Sequence, residues 1–292
     1  MVVVRLTGGL GNQLFQYALG RYLALHANAE LVLEDSFYHH ASPNSTPRTF
    51  ELDKFKIYAR RTSAAERRAL QSYTGRIWKR IRRALPLPGA LKYVYEPIGG
   101  FLPMARMLKD QVFLDGYWQS AAYFTGIENL LRTELQPLLP MSDKDQQIAS
   151  HIEKVESVSL HVRRGDYTSN ATANSLHGFC GLDYYQAAIK LMGERLSNPV
   201  FFVFSDDLLW LKSNLQIDYP CVYVDHNSSA TAFQDLRLMS RASHHIIANS
   251  SFSWWGAWLN RSPAKQVVRP RKWYAGLPRA GDQTCPGNWI AL

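Results

Sequence analysis

The sequence predicts an α/β protein built of two Rossmann-like halves, and two stretches predict it. The first opens the chain. An apolar strand, Val2 to Leu6, runs into the glycine loop Gly8-Gly9-Leu10-Gly11. A helix follows from about Asn12 to His26, with Leu14, Phe15, Ala18, Leu19, Tyr22 and Leu23 recurring on one face. A second strand, Leu31-Val32-Leu33, ends at Glu34-Asp35, so this half begins as a βαβ unit with its glycine loop at a strand's carboxyl end. The second stretch alternates more plainly. Strands are expected at Val158–Val162, Val200–Phe204, Cys221–Val224, His245–Ala248 and Gln266–Arg269. Helices between them start near Asp183, at Thr231 and near Ser253; Asp183-x-x-Gln186 and Thr231-x-x-Gln234 resemble capping boxes. Such alternation implies a parallel sheet.

Pro137, Pro140 and Ser142-Asp143 read as the linker, which places the halves at 1–145 and 146–292. The segment from Ser36 to about Leu87 is polar and irregular. The loop Tyr167–Gly181 is longer than most βα connections and reads as a functional flap. A cleft between the halves would gather the loops at the carboxyl ends of their strands.

Bulk properties narrow the class. With 46% apolar and 20% charged residues in 292, the chain is globular. No window of about 18 apolar residues suggests a spanning helix, and the apolar part of MVVVRLTGG is too short for a signal peptide. Three scattered cysteines fit a reducing cytoplasm and argue against a disulfide framework or a zinc site. The net charge of +9 implies anionic partners. Nine bases against one acid, Glu66, lie between Arg60 and Arg83. The stretch 76–83 mixes bases with Trp78, Ile77 and Ile81, and could dock on an anionic inner membrane. No nucleic-acid-binding motif accompanies it, so a nucleic-acid partner is not expected.

Three loops carry the candidate chemistry. His161-Val162-Arg163-Arg164-Gly165-Asp166-Tyr167 places two guanidiniums at a strand end. Arginine presents fixed donors suited to bidentate grip on phosphate, although an isolated Arg–Asp turn would be the ordinary use of such a stretch. Asn249-Ser250-Ser251 precedes a helix containing Trp254, Trp255 and Trp258. Its hydroxyls and amides suit an anion, or plain capping, while the tryptophans read as core. The glycine loop lacks the third glycine of a dinucleotide fingerprint, Leu14 standing there, and no P-loop motif occurs. Asp235, within the expected helix 233–239, is either a solvated carboxylate or an acceptor for a guanine edge. Ser205-Asp206-Asp207 superficially resembles a metal-binding pair and reads instead as structural or at the nucleotide edge.

Together TGGLGNQLFQYALGRYLA (7–24), DGYWQS (115–120), HVRRGDY (161–167) and ANSSFSWWGAWL (248–259) resemble the α-1,2-fucosyltransferase family, in family order and without departure at the motif cores. Residues 36–110 carry no shared motif. The resemblance implies a GT-B-like, inverting, metal-independent enzyme without a cofactor, with an N-terminal acceptor-side domain and a C-terminal GDP-fucose-binding domain. The donor would be GDP-β-L-fucose and the acceptor a galactose-terminated glycan. Arg163 would grip the β-phosphate, Arg164 would support it, and Asp166 would orient their loop. Gly9 and Ser251 would offer donors to the diphosphate, with Gly11, Asn12 and Ser250 beside them. Asp235 would read guanine, and His161 would lie beside the nucleotide. The base for the acceptor hydroxyl stays unassigned between Asp35 and Asp115. A nucleotide- or sugar-nucleotide-binding module without turnover would use the same motifs.

Overall fold

The structure, a computed structural model, describes residues 1–39, 47–74, 91–164, 180–274 and 283–292. It comprises two compact units, Met1–Gln136 and Pro137–Leu292. The division falls ahead of residue 145 because Ser142-Asp143 is a helix start rather than a linker. Ser142 caps the helix Asp143–Lys154 in a reciprocal capping box with Asp145, which commits that segment to the second unit.

Unit 1 runs β1 (Val2–Arg5), α1 (Leu10–His26), β2 (Leu31–Glu34), β3 (Arg60–Arg61), α2 (Ala64–Thr74), β4 (Lys92–Tyr95), β5 (Val112–Asp115) and α3 (Glu128–Glu134). Its five strands lie in the order β3-β2-β1-β5-β4, every pair parallel. The chain steps outward from β1 through β2 and β3, then returns on the other side of β1. The reversal therefore lies between β1 and β5, where the glycine loop and the segment after Asp115 emerge.

Unit 2 runs α4 (Asp143–Lys154), β6 (Glu156–Val162), α5 (Leu182–Arg195), β7 (Pro199–Ser205), α6 (Leu208–Asn214), β8 (Cys221–Tyr223), α7 (Ala232–Met239), β9 (His244–Ile246), α8 (Ser251–Leu259), β10 (Val267–Arg269) and β11 (Ile290–Ala291). The order is β11-β10-β9-β6-β7-β8, again all parallel. Strand alternation divides the core into two layers. Phe201 and Val203 pack with Tyr185, Ile189 and Met192 of α5, and Phe202 and Phe204 pack with Ile152 of α4 and Leu238 and Met239 of α7. Trp254, Trp255 and Trp258 of α8 are buried core, as expected, and Trp254 Nε1 donates to the Thr284 carbonyl at 3.0 Å. Here the reversal lies between β6 and β9.

Two expected caps differ. α5 starts after an extended Gly181, so Asp183 lies inside its first turn and is not the cap. Thr231 makes no side-chain bond as a cap of α7. The reciprocal box is one turn earlier, on the 3-10 turn Ser229–Thr231, where Thr231 Oγ1 takes the Ser228 amide at 2.8 Å. Asp166, most of the loop 167–181 and the basic stretch 76–83 lie outside the described residues. Among the described residues, no helix is long and apolar enough to cross a membrane.

Candidate functional site

The register of β6 on β7 builds the arginine site. Val162 pairs with Ser205, so the next residues, Arg163 and Arg164, emerge beside Asp206 and Asp207. Arg163 Nη1 lies 2.9 Å from Asp206 Oδ2, and the Arg164 amide donates to Asp206 Oδ1 at 2.9 Å. One carboxylate thus holds a side chain and the backbone of its neighbour. Arg164 Nη1 donates to Asp207 Oδ2 at 2.6 Å, and its guanidinium sits 4.0 Å from the centre of the Trp210 ring. Asp207 also caps α6, accepting from the Trp210 amide at 3.1 Å. Arg164 is therefore braced against α6. Arg163 is 22% exposed at the carboxyl end of the sheet. The pair Asp206-Asp207 has the structural use expected of it.

Ligands of open α/β sheets bind outside the carboxyl ends of the strands where strand order reverses. In unit 2 that crevice is flanked by the arginines after β6 and by Asn249-Ser250-Ser251 after β9. Ser250 is the extended N-cap of α8, its hydroxyl makes no capping bond, and the first turn carries no acid. The tryptophan cluster fixes this helix from below: Trp254 contacts Trp255, Trp258 and Trp289 at ring distances of 5.1, 6.0 and 5.6 Å.

His161, the penultimate residue of β6 before the arginines, is buried, and its ring lies 5.8 Å from that of Phe252 on α8. Burial holds its pKa down to about 4; the Asp206 charge opposes this and the Arg163 charge reinforces it. The imidazole is neutral near pH 7, and its buried Nδ1 has no hydrogen-bond partner among the described residues. Asp235 lies in the first turn of α7, where burial pushes its carboxyl from 3.8 up to about 6 despite a hydrogen bond from Asn227. α7 and α8 meet where Met239 presses on Gly256: a Cβ built on that glycine would lie 2.9 Å from Met239 Cβ. One turn earlier on each helix stand Asp235 and Phe252.

In unit 1, Gly8 has φ +80°, a conformation that favours glycine, and a Cβ there would strike the Asn12 side chain. Gly9 is the extended N-cap of α1, and Arg48 packs against it. Gly11 is buried in the first turn of that helix. The Leu10 amide is already taken by the Glu51 carboxylate, whose pKa burial raises. The glycine loop is tied to DGYWQS: Asn12 Oδ1 accepts from Gln119 Nε2 at 2.8 Å, and Gln16 Nε2 donates to the Gly116 carbonyl at 3.0 Å. Trp118 holds φ +56°, and Glu96 fixes it by accepting from the Trp118 amide and the Tyr123 hydroxyl, each at 2.5 Å. Both carboxylates considered as a base are buried in ion pairs. Asp35 accepts from Arg61 (2.6 Å), Thr62 (3.0 Å) and Arg67 (3.3 Å), and Asp115 accepts from Tyr93 (2.6 Å) and faces Arg5 (3.4 Å).

Sequence reasoning missed Trp210, Arg48 and Glu51, and the cluster Asp145, His226 and Asn227 behind Asp235. For Trp210 a signal existed: it stands three residues after a capping aspartate at the end of the strand following the arginines. The others meet through long-range contacts that no local pattern encodes.

The sequence profile of glycosyl transferase family 11 matches residues 78–291. The α-1,2-colitosyltransferase of Escherichia coli is 34% identical over 293 residues, covering 100% of this chain and 99% of that protein. The O-antigen biosynthesis glycosyltransferase WbnK of Escherichia coli is 36% identical over 310 residues, covering 98% of this chain and 99% of its own. Among solved structures, a mutant of Arabidopsis thaliana FUT1 in complex with GDP matches with a TM-score of 0.51 at 11% identity, over 93% of this chain and 71% of that one. That likeness is one of fold, and the two parallel α/β units are GT-B-like. With a profile match over most of its length and relatives aligned end to end, the chain belongs to glycosyl transferase family 11.

Proposed function

We propose that this chain is a galactoside α-1,2-fucosyltransferase, moving L-fucose from GDP-β-L-fucose to the 2-hydroxyl of a terminal galactose with inversion and without a metal. The observation that carries this reading is the arginine pair braced by Asp206, Asp207 and Trp210 at the strand-order reversal of unit 2. When the bond from the fucosyl carbon to the β-phosphate oxygen breaks, its electron pair leaves on the phosphate. A guanidinium already held in place stabilises that charge as it develops, without reorganisation. Arg163 makes this contact, with Arg164 and Asp166 supporting the loop. Ser250 and Ser251 add donors from α8. Gly9, Gly11 and Asn12 serve through the glycine-loop backbone and the Asn12 amide, since Glu51 holds the Leu10 N–H. Asp235 accepts from the guanine edge, and neutral His161, whose Nδ1 has no hydrogen-bond partner among the described residues, lies beside the nucleotide. The acceptor oxygen attacks from the face opposite the departing phosphate.

The test is incubation with GDP-fucose and a β-galactoside, reading GDP release and the linkage of the product. Nucleotide binding without release would establish the non-catalytic alternative, a guanine- or sugar-nucleotide-binding module. A second donor reading, colitose in the same linkage, is favoured by the full-length colitosyltransferase relative. Competition between the two GDP-sugars decides it, because a site that hydrogen-bonds the 3-hydroxyl rejects the sugar lacking it.

Transfer is expected to persist in excess EDTA. Asp206 and Asp207 are each engaged by a guanidinium, so a divalent cation would compete with the arginines rather than assist them. Strict dependence on added Mg²⁺ or Mn²⁺ would reverse this.

Asp235→Asn is expected to raise the donor KM with little change in acceptor KM, because one acceptor facing guanine becomes a donor. The same change should stabilise the fold at pH 8. The folded carboxyl titrates at about 6 rather than 3.8, so holding it ionised opposes folding above pH 6, and the penalty disappears below about pH 4. At roughly 1.4 kcal/mol per pKa unit, the gain reaches at most about 3 kcal/mol. Melting curves at pH 4 and pH 8 check it: a gain equal at both would remove the electrostatic cause.

A further inference from the structure

Asn227 stands between two carboxylates. It lies in the loop that leaves β8 at the carboxyl edge of the sheet and leads into α7. Its Nδ2 donates to Asp145 Oδ1 at 3.0 Å and to Asp235 Oδ1 at 2.7 Å. A side-chain amide has two N–H donors on one nitrogen and no charge, so it can serve two carboxylates at once. The partners differ in what else holds them. Asp145 is a fixed post, 1% exposed: the Ser142 hydroxyl donates to its Oδ2 at 2.6 Å, and His226 Nε2 lies 2.8 Å from its Oδ1. Asp235, among the described residues, accepts from Asn227 and from no other group, and its Oδ2 accepts no hydrogen bond. A carboxylate torsion is broad and close to two-fold, so a lone aspartate on a helix does not choose its own orientation.

We propose that Asn227 is the positioning residue of the guanine subsite, tying Asp235 to the immobile Asp145 so that the open oxygen of Asp235 faces the N1–H and N2–H donors of the base. This rests on the reading of Asp235 as the guanine acceptor. Asn227 touches no substrate; it acts through the carboxylate it holds. It also keeps a neutral donor between two anions that would otherwise repel directly, with His226 beside them and the Arg237 guanidinium also acting on Asp145. Neither a hydrocarbon nor a third carboxylate at 227 can do this.

The experiment measures GDP and IDP affinities of the full chain by calorimetry at pH 8. IDP keeps the diphosphate and ribose and lacks the exocyclic amine. The wild-type protein is expected to prefer GDP by about tenfold or more, the range of a hydrogen bond to a charged group. Asn227→Ala should weaken GDP by about tenfold and IDP little, bringing the preference to within about threefold. Asn227→Ser, which keeps one O–H donor, should fall between. Melting temperatures establish that the variants are folded, and the serine variant carries the test if the alanine variant is not. Equal losses for GDP and IDP, with the preference intact, would mark Asn227 as merely structural and overturn the proposal. An Asp235→Asn protein that keeps the GDP preference would overturn the reading of Asp235 itself, and the proposal with it; loss of preference in Asp235→Asn but not in Asn227→Ala would overturn the proposal alone.

Discussion

Arg163→Ala is expected to lower the turnover of fucosyl transfer by about 100- to 1000-fold, the usual effect of removing one donor aimed at developing charge. Arg163→Lys should recover little of it. Lysine keeps the positive charge but presents a flexible point donor in place of a planar fork. It also cannot hold Asp206 Oδ2, which one guanidinium nitrogen meets at 2.9 Å, and still present a second fixed N–H to a ligand. The loss should appear in kcat more than in donor KM, because the leaving phosphate carries more charge in the transition state than in the bound donor. Asp206 still receives the Arg164 amide in the mutant, so the loop retains an anchor and the melting temperature should change little. Near-normal turnover in Arg163→Lys would remove the proposed role.

Gly256→Val should have the largest effect on the fold. α7 and α8 approach so closely at this residue that an added Cβ would lie 2.9 Å from Met239 Cβ and 3.1 Å from its sulfur. The sulfur can move, but the Met239 Cβ is fixed to the α7 backbone. Valine must therefore push the helices apart, at about 2–3 kcal/mol for overpacking. That corresponds to a fall in Tm of roughly 5–10 °C for a unit of this size. Asp235 travels with α7 and Ser251 with α8, so GDP affinity should fall as well. Met239→Ala in the same chain makes room and should restore part of both. A double mutant no better than the single would show that Met239 is not what valine displaces.

The fold was largely legible where strands are long and buried. Val200–Phe204 read correctly because a strand covered on both faces is a nearly continuous apolar run, and Val158–Val162 because its apolar residues alternate with Ser159 and His161. β3 was not legible: it is two exposed arginines, Arg60 and Arg61, and exists only because β2 offers it an edge. β11, two residues long, had the same defect. Asp183 misled because a capping-box pattern is local, whereas the helix starts one residue earlier, at Leu182, after the extended Gly181. At the site, paired guanidiniums after a strand announced themselves by charge. Their partners did not, because which aspartate meets which arginine depends on strand register, a tertiary property. Asn227 and Asp145 are 82 residues apart, and nothing in either neighbourhood points to the other.

The reversal of strand order also sets the sequence of events in folding. In unit 2, β6 meets β7 soon after it is made, but its other neighbour is far along the chain: Ser159 and His245, hydrogen-bonded across β6 and β9, are 86 residues apart. In unit 1, Arg5 and Asp115 are 110 apart. Contacts of such separation close slowly, because the loop entropy is lost before the pairing rewards it. The seam where each candidate site opens is therefore the last part of its sheet to close. Until then one edge of β1 and one of β6 stand bare, as apolar parallel templates open to pairing with another chain. A ligand that needs both β6 and β9 in place arrives too late to guide that closure. It can hold the seam shut only after it forms, so covering these two inner edges is a matter of assembly and not of ligand.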